Sequence, residues 1–241
     1  MGEAETVVWH DLECGGYTAD LALWRELAAA AGGAVLELGA GTGRVALDLA
    51  RRGHEVVALD HDPSLLAALE DRARAEDLPI KTLCADARSF DLGRRVALCV
   101  APMQIIQLLG GEGRRRCLDR VHAHLELGGR LAAALADPME GFDGEVLALP
   151  LPDMGERDGW VYSSQPVAVR RCNGATTIER RRERVAPDGA RTQSSDVVRL
   201  DDIAAEHLER EGSACGLHAL PRRQVAATEE HVGSVVVLLE A

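Results

Sequence analysis

Aromatic residues are scarce in this sequence of 241 residues, since three Trp, two Tyr and two Phe make up only 3% of it. Hydrophobic residues nevertheless account for 46%, so the core has to be built mainly from Ala, Val and Leu. With 27% charged residues, the composition is typical of a globular protein rather than a disordered one. The length fits one large domain, or one domain with a sizeable insertion.

Three further features are missing. The six cysteines include no Cys-x-x-Cys pair, so we predict neither a disulfide framework nor a zinc site. No apolar run approaches the roughly 20 residues that a membrane-spanning helix needs. The first residues lack the basic and then apolar pattern of a signal peptide. We therefore expect a cytoplasmic protein with no metal and no membrane partner.

Positive charge is also in deficit. Lys and Arg number 27 against 39 Asp and Glu, which gives a net charge of −12. Because this balance repels phosphate backbones, we expect no nucleic-acid partner. Two arginine runs, at 114–116 and 180–182, interrupt the acidity. Each is interpreted either as a solvated face or as a docking patch for an acidic carrier or substrate.

From residue 34 the pattern alternates between short apolar runs and amphipathic segments. Alternation of this kind predicts an α/β fold with a parallel sheet and right-handed crossovers. The predicted strands are 35–38, 56–60, 80–84, 96–101 and 131–136, and the predicted helices are 44–52, 63–76 and about 113–125, the last ending at Gly128-Gly129.

After Pro138 the rhythm changes. Residues 139–158 are predicted to be loop, and antiparallel strands follow, with hairpin turns at Asn173-Gly174 and Asp188-Gly189. Asp201 is predicted to cap a helix that reaches Glu211, and two closing strands come after it. We accordingly divide the chain into an N-terminal segment (1–33), a main domain (34–138 and 201–241) and an antiparallel insertion (139–200).

A glycine-rich loop follows the first strand. Its form is Glu37-x-Gly39-x-Gly41-x-Gly43, and glycines at this place let backbone amides approach a ligand closely. The dinucleotide fingerprint Gly-x-Gly-x-x-Gly fails here, because its third glycine would fall on Arg44 or Ala46. A turn without a ligand is the alternative interpretation.

An acid ends the second strand. Asp60 stands 17 residues after Gly43, and a carboxylate there can accept hydrogen bonds from both hydroxyls of a ribose. The alternative role, capping the next helix, suits Asp62 better because Pro63 follows it.

Together these features resemble the class I S-adenosylmethionine-dependent methyltransferases, over roughly residues 34–136. The resemblance implies a Rossmann-like sheet of seven mostly parallel strands, S-adenosyl-L-methionine as cofactor and a small-molecule methyl acceptor. It also implies that Asp86 and Ala87, after the third strand, hold the adenine, although Asp86 could be an ordinary loop acid. The predicted cofactor site comprises Tyr17, Glu37, Gly39, Ala40, Gly41, Gly43, Arg44, Asp60, His61, Asp86, Ala87, Ala101 and Met103.

The acceptor side is less defined. In the family, the loop after the fourth strand lies beside the transferable methyl group, so Gln104 and Gln107 are candidates to bond an acceptor. A polar edge on a packed helix explains them equally well. Candidate bases are His10, His61, His122, His124, Glu140 and Asp143. His10 is preferred, because the segment 1–33 resembles the lid that closes over the cofactor in small-molecule members of the family.

The antiparallel insertion resembles that of sugar N-methyltransferases and glycine N-methyltransferase-like enzymes, where such insertions shape the substrate pocket or a dimer contact. We therefore favour an amine nitrogen as acceptor and leave a homodimer open. An O-methyltransferase and a non-catalytic module that binds the cofactor are the alternatives.

Overall fold

The computed structural model of the protein describes residues 3–139, 151–229 and 231–241. These residues divide into two compact units. The larger contains Tyr17–Ala136 and Ile203–Ala241, and the smaller contains the described parts of Met1–Gly16 and Asp137–Asp202. The boundary at residue 16 falls inside the segment 1–33 that we treat as a lid.

The larger unit is a twisted sheet with helices. Its helices are α2 (Leu21–Ala31), α3 (Arg44–Ala50), α4 (Pro63–Ala75), α5 (Gly110–His124) and α6 (Ala205–Ala214), and a 3₁₀ turn spans Ile105–Leu108. Its strands are β1 (Val35–Leu38), β2 (Val56–Asp60), β3 (Ile80–Cys84), β4 (Val96–Ala101), β5 (Leu125–Leu135), β10 (His218–Val225) and β11 (Ser234–Glu240). The smaller unit holds α1 (Glu3–His10), a π-helical turn (Asp11–Gly15) and strands β6 (Asp153–Arg157), β7 (Trp160–Cys172), β8 (Ala175–Val185) and β9 (Arg191–Asp201).

The seven strands of the larger unit lie in the order β10-β11-β5-β4-β1-β2-β3. β11 runs antiparallel to both of its neighbours, and the other pairings are parallel. This arrangement confirms the predicted α/β class. The central strands β1, β2 and β4 are buried along their whole length, which explains why they read as continuous apolar runs instead of alternating patterns.

Small aliphatic side chains fill the core on both faces of this sheet. One cluster contains Val35, Leu49, Ala58 and Val100, and the other contains Leu36, Leu59, Cys99 and Ala133. The side chains of neighbouring residues in a strand point to opposite faces, so a run such as Val35-Leu36 supplies both clusters. The scarcity of aromatics therefore leaves the larger unit with a core mainly of Ala, Val and Leu, as predicted.

Two boundaries differ from the prediction. Gly128-Gly129 does not end α5, because β5 already begins at Leu125, and Gly128 donates a backbone hydrogen bond to the Ala241 carbonyl at 2.9 Å. Asp201 caps no helix, because it pairs with Ala175 as the last residue of β9. α6 begins four residues later, without a side-chain cap.

The smaller unit is a four-stranded antiparallel sheet in the order β6-β7-β8-β9. Both hairpin turns are where the sequence predicts them, and Asn173 and Gly174 have φ values of 52° and 71°, which a tight two-residue turn requires. Residues 153–157 form β6, so the predicted loop over 139–158 is wrong in this part. Residues 140–150 of that loop, with Glu140 and Asp143, lie outside the described residues.

A buried ion pair holds the N-terminal segment on this sheet. Arg182 donates from Nε and Nη2 to the Glu13 carboxylate at 2.7 Å each, and the Ser164 hydroxyl donates to the same carboxylate at 2.6 Å. Trp9 packs edge-to-face on Tyr162, with ring centroids 5.1 Å apart.

The two arginine runs are mostly engaged within their own units. Arg182 binds Glu13, and Arg180 donates to the Ser164 hydroxyl at 2.9 Å. Arg114 is buried and forms a bidentate pair with Glu211, and Arg115 pairs with Glu112 and Asp119. These contacts favour internal structural roles over the predicted docking patch for an acidic partner. No helix among the described residues is long and apolar enough to cross a membrane.

The glycine loop offers a matched stability test. A Cβ on Gly43 would lie 2.1 Å from Leu69 Cδ1, and the φ of Gly43 is +94°. Gly53 has a similar φ of +85° with no atom within 4 Å of an added Cβ. We expect Gly53→Ala to lower the free energy of unfolding by about 1–2 kcal/mol through backbone strain alone. Gly43→Ala should lower it by about 3 kcal/mol or more, because the clash adds to the strain.

Urea unfolding of the two variants beside the unchanged protein measures this difference. If both variants lose the same free energy of unfolding, an added Cβ at position 43 does not clash with Leu69, and the packing argument for Gly43 is wrong.

Candidate active site

The strand order reverses next to β1. From β1 the chain continues to β2 and β3 on one side and then returns to β4 on the other. In open α/β sheets, ligands bind in the crevice outside the carboxyl ends of the strands at such a switch point. The loops that follow β1 and β4 therefore define the candidate site.

The glycine loop packs closely against the loop after β4. Gly39, Gly41 and Gly43 all have positive φ values, of 65°, 54° and 94°. A Cβ on Gly39 would lie 2.5 Å from Ile105 Cδ1, so no larger side chain fits between the two loops. The Ala40 amide donates to the Leu59 carbonyl at 2.9 Å, which ties the loop to β2. The glycines are thus required both by backbone conformation and by packing.

Asp60 joins this loop to the end of β2. Its Oδ2 accepts from the Gly41 amide at 2.8 Å, and its Oδ1 accepts from the Asp62 amide at 2.9 Å. Asp60 is only 5% exposed, whereas His61 beside it is well exposed, with Nδ1 3.3 Å from Asp60 Oδ1. Each carboxylate oxygen has two lone pairs, so each can still accept one more hydrogen bond. As predicted, Asp62 caps α4, accepting from the Ser64 amide at 2.8 Å.

A cavity of about 200 Å³ opens at this edge of the sheet. It brings together the predicted residues Gly39, Asp60, His61, Asp86 and Ala87. Sequence reasoning did not single out its other side chains, among them three apolar residues from the segment after β4. The lining residues are Gly39, Leu59, Asp60, His61, Ala85, Asp86, Ala87, Arg88, Ile105, Leu108 and Leu109.

Arg88 is the charged residue in this cavity that the sequence analysis missed. Its guanidinium forms a bidentate pair with the Asp86 carboxylate, with Nε 2.8 Å from Oδ1, and its backbone amide donates to the same oxygen at 2.8 Å. The pairing lowers the pKa of Asp86 to about 2. An acid two residues before an arginine in a loop is the signal that could have revealed it.

Tyr17 and Arg44 belong to a buried cluster at the start of α3. The Arg44 guanidinium donates to both oxygens of Asp20, at 2.5 and 2.8 Å, and to the Tyr17 carbonyl at 2.8 Å. The Trp24 indole N–H donates to Asp20 as well, at 2.7 Å. Tyr17 is buried below the Arg44 guanidinium, which lies 5.1 Å from the ring centroid. The cluster joins residues 17–20, which precede α2, to Arg44, which follows the glycine loop.

Glu37 is the least satisfied acid of the site. The residue is 3% exposed, and its Oε2 is buried without a hydrogen-bond partner. Burial raises the pKa of Glu37 to about 8, although the positive charge of Arg44 and a hydrogen bond from the Ala46 amide act in the opposite direction. A buried acceptor without a donor is costly, so this oxygen requires an explanation.

The two glutamines after β4 have different environments. Gln107 is 2% exposed, and its side-chain amide donates to the Ala136 carbonyl at 3.0 Å and accepts from the Ala136 amide at 2.9 Å. These bonds favour the structural alternative for Gln107 over contact with an acceptor, because both ends of its amide group bind the backbone of Ala136, just after β5. Gln104 is half-buried just before the 3₁₀ turn and stays a candidate.

Other predicted residues lie around the same loop. Ala101 is buried at the end of β4, and Met103 has a φ of 54°, which a residue with a long side chain rarely adopts. Such strain is concentrated at functional sites. Ala40 is buried in the core under the loop.

The remaining histidines do not line the cavity. His10 ends α1 in the smaller unit. His124 accepts from the Leu92 amide at 3.2 Å, and its Nδ1 lies 2.7 Å from the Arg120 carbonyl, which is a structural arrangement. His122 lies against Gly216, where an added Cβ would be 2.8 Å from its ring. The described residues contain no group of three or more His, Cys, Asp or Glu arranged to hold a metal ion.

Comparison with known proteins identifies this part of the chain. A family profile described as a methyltransferase domain matches residues 35–129, which contain the glycine loop, Asp60, Asp86 and the loop after β4. Residues 35–129 therefore resemble a methyltransferase domain. This confirms the resemblance seen in the sequence and places the candidate site inside the matched segment.

Solved structures show that the methyltransferase fold extends over nearly the whole chain. A sugar N-methyltransferase from Streptoalloteichus sp ATCC 53650 superposes with a TM-score of 0.78 at 20% identity, over 98% of this chain and 93% of that one. A glycopeptide N-methyltransferase complexed with S-adenosyl-L-homocysteine gives a TM-score of 0.64 at 26% identity, over 91% and 86% of the two chains.

One curated relative matches a smaller part. It is named Hemagglutinin 1, comes from Eikenella corrodens and is 33% identical over 94 residues, which are 39% of this chain. The match spans only 31% of the length of that relative.

The structural role of Gln107 can be tested in the methyltransferase domain. We expect Gln107→Ala to lower the free energy of unfolding by about 2–6 kcal/mol, because two buried backbone groups of Ala136 lose their partner at about 1–3 kcal/mol each. Gln104→Ala, made as a matched control, should change it by less than about 1 kcal/mol. Chemical denaturation measures both. A Gln107→Ala variant of unchanged stability would contradict the structural role.

Proposed function

We propose that this protein transfers a methyl group from S-adenosyl-L-methionine to the nitrogen of a small-molecule amine. The observation that carries the cofactor part of the proposal is the position of Asp60. It is a buried carboxylate, held by two backbone amides at the switch point of the sheet, with one lone pair free on each oxygen. Two adjacent acceptors of this kind suit the vicinal hydroxyls of a ribose.

The rest of the cavity fits the same molecule. The side chains of Ile105, Leu108 and Leu109 provide apolar surface for an adenine ring. Asp86 can accept a hydrogen bond from the adenine amino group if one of its hydrogen bonds from Arg88 is broken. The unpartnered Glu37 Oε2, beside the glycine loop, is an acceptor for the α-ammonium of a methionine group. We assign Gly39, Ala40, Gly41 and Gly43 to the backbone that lies against the bound cofactor.

When bound, this cofactor supplies a methyl group on a sulfonium, whose departure as a neutral thioether needs no acid. The protein then has to hold the reacting atoms in line and exclude water. The cofactor would be held in this alignment by the glycine loop, Asp60 and the segment after β4. We place Met103 and Gln104 nearest to the acceptor, because their loop follows the strand that adjoins β1.

Two arguments favour an amine. A neutral amine attacks directly, whereas a hydroxyl needs a base, and His61 is the one histidine among the described residues that line the cavity. Its ring is beside Asp60, at the end assigned to the ribose. In addition, the relative that is 26% identical is a glycopeptide N-methyltransferase. The name of the curated hemagglutinin describes a protein of which this chain matches less than a third, so it adds no function to the proposal.

Asp60 gives the test of cofactor binding. We expect Asp60→Ala to weaken the binding of S-adenosyl-L-methionine and S-adenosyl-L-homocysteine by about 100-fold or more, because two hydrogen bonds to a charged group are lost at about 1.5–3 kcal/mol each. Asp62→Ala removes the same charge two residues away and should cost only the helix cap, about 1 kcal/mol of stability, with unchanged affinity. Calorimetric titration measures the affinities, and circular dichroism confirms that both variants are folded.

The acceptor is tested separately, by mass spectrometry of a panel of amino sugars, peptide amines, phenols and alcohols incubated with the cofactor. Methylated amines support the proposal, and methylated hydroxyl compounds alone would make the protein an O-methyltransferase. Binding of the cofactor without transfer to any compound would favour the non-catalytic module. Absence of cofactor binding would refute the proposal as a whole.

A further inference from the structure

The carboxyl group of Glu37 differs from every other acid of the site in lacking a donor for one oxygen. Asp60 has two amide donors, Asp86 has Arg88, and Asp20 has Arg44 and Trp24. Glu37 has one backbone hydrogen bond, from Ala46, and its Oε2 is buried without a partner. It is the one acid in β1, between the apolar Leu36 and Leu38.

The charges that surround Glu37 come from three elements. Arg44 contributes a positive charge from the start of α3, and Asp20 and Asp60 contribute negative charges from the residue before α2 and from the end of β2. Tyr17 is the other titratable group of this cluster, under the Arg44 guanidinium. Because Arg44 is already bidentate to Asp20, its charge is largely compensated and does not stabilise an ionised Glu37 fully.

Burial therefore keeps Glu37 protonated near neutral pH, with a pKa of about 8. A cation placed against Oε2 would lower the pKa of Glu37 and ionise it, since an opposite charge in a buried site favours the ionised form of a carboxyl group.

We propose that Glu37 makes ligand selection in this site proton-coupled: a nucleoside ligand that carries a primary ammonium expels the proton of Glu37, and a ligand without that ammonium leaves it in place. The inference rests on the proposed binding of S-adenosyl-L-methionine and its demethylated product. The balance is simple. The Glu37 carboxyl O–H bond breaks, the proton goes to solvent, and the ammonium keeps its own protons and its charge.

The pH dependence follows from this balance. Below about pH 8, binding of the ammonium ligand must release the Glu37 proton, so its affinity rises with pH and then levels off once Glu37 is ionised in the free protein. Between pH 6 and 7 the rise approaches about tenfold per pH unit for one released proton. A ligand without the ammonium shows no such rise.

The experiment is a calorimetric titration at pH 7 in two buffers of different ionisation enthalpy, which yields the number of protons released on binding. The ligands are S-adenosyl-L-homocysteine, which carries the ammonium, and 5′-methylthioadenosine, which has the same nucleoside and no amino acid group. We expect the first to release nearly one proton and the second to release almost none.

Two variants complete the design. Glu37→Gln removes the titrating group and should abolish the proton release with S-adenosyl-L-homocysteine. Asp48→Asn serves as the matched control, since Asp48 is also buried in the larger unit but is paired with Arg25, and this variant should release the same proton as the unchanged protein. If Glu37→Gln does not fold, the unchanged protein is used instead, and the affinity for S-adenosyl-L-homocysteine is divided by that for 5′-methylthioadenosine at pH 6 and at pH 7. A proton-coupled site raises this ratio about tenfold between the two pH values, and a constant ratio overturns the inference.

The outcomes separate this inference from the proposed function. Binding of S-adenosyl-L-homocysteine without proton release, or with the same release from Glu37→Gln, overturns the inference and leaves the methyltransferase proposal intact. Failure of both nucleosides to bind overturns both.

Discussion

The hydrogen bond from the Gly41 amide to Asp60 Oδ2, 2.8 Å long, connects the two strand ends from which the site is built. It fixes the loop after β1 relative to the end of β2, and the second Asp60 oxygen continues the connection to Asp62 and the start of α4. The loop can follow this path only because Gly39 and Gly43 leave room for Ile105 and Leu69. Removing the carboxylate would leave the Gly41 and Asp62 amides without an acceptor. The group that organises the loop also lines the cavity, where its remaining lone pairs can accept from a ligand.

The order of the elements, the glycine loop after β1 and the position of Asp60 at the end of β2 could be predicted from the sequence, because all three depend on local patterns. Val35 to Leu38, apolar except for Glu37, and Val96 to Ala101 lie between turn signals, and a parallel sheet buries such runs on both faces. Asp60 and Asp62 could be given their separate roles because Pro63 marks the first turn of α4. The hairpins at Asn173 and Asp188 depend in the same way on residues that tolerate a turn.

Features that depend on distant partners could not be predicted. Gln107 binds the backbone of Ala136, 29 residues away, and no spacing in the sequence connects the two. Asp201 precedes a helix as a cap would, but its pairing with Ala175 extends β9 and decides its conformation. Arg180 and Arg182 appear as part of a basic run, although strand alternation turns both toward the face that binds Glu13 and leaves Arg181 exposed.

Glu37 and Asp60 show how one residue type obtains two properties from its surroundings. Glu37 is the last residue but one of β1, Asp60 ends the neighbouring β2, and both are almost fully buried. Asp60 has donors on both oxygens, so it is satisfied before any ligand arrives, and it offers fixed acceptor geometry. Glu37 lacks a donor on Oε2, and the nearest cation is shared with Asp20. Its charge therefore depends on what binds beside it, and part of the binding free energy of a cationic ligand has to be used to ionise it. The unpaired Oε2 costs free energy in the free protein, and a ligand with an ammonium removes that cost whereas a ligand without one does not. A carboxylate with donors on both oxygens could not distinguish the two kinds of ligand in this way.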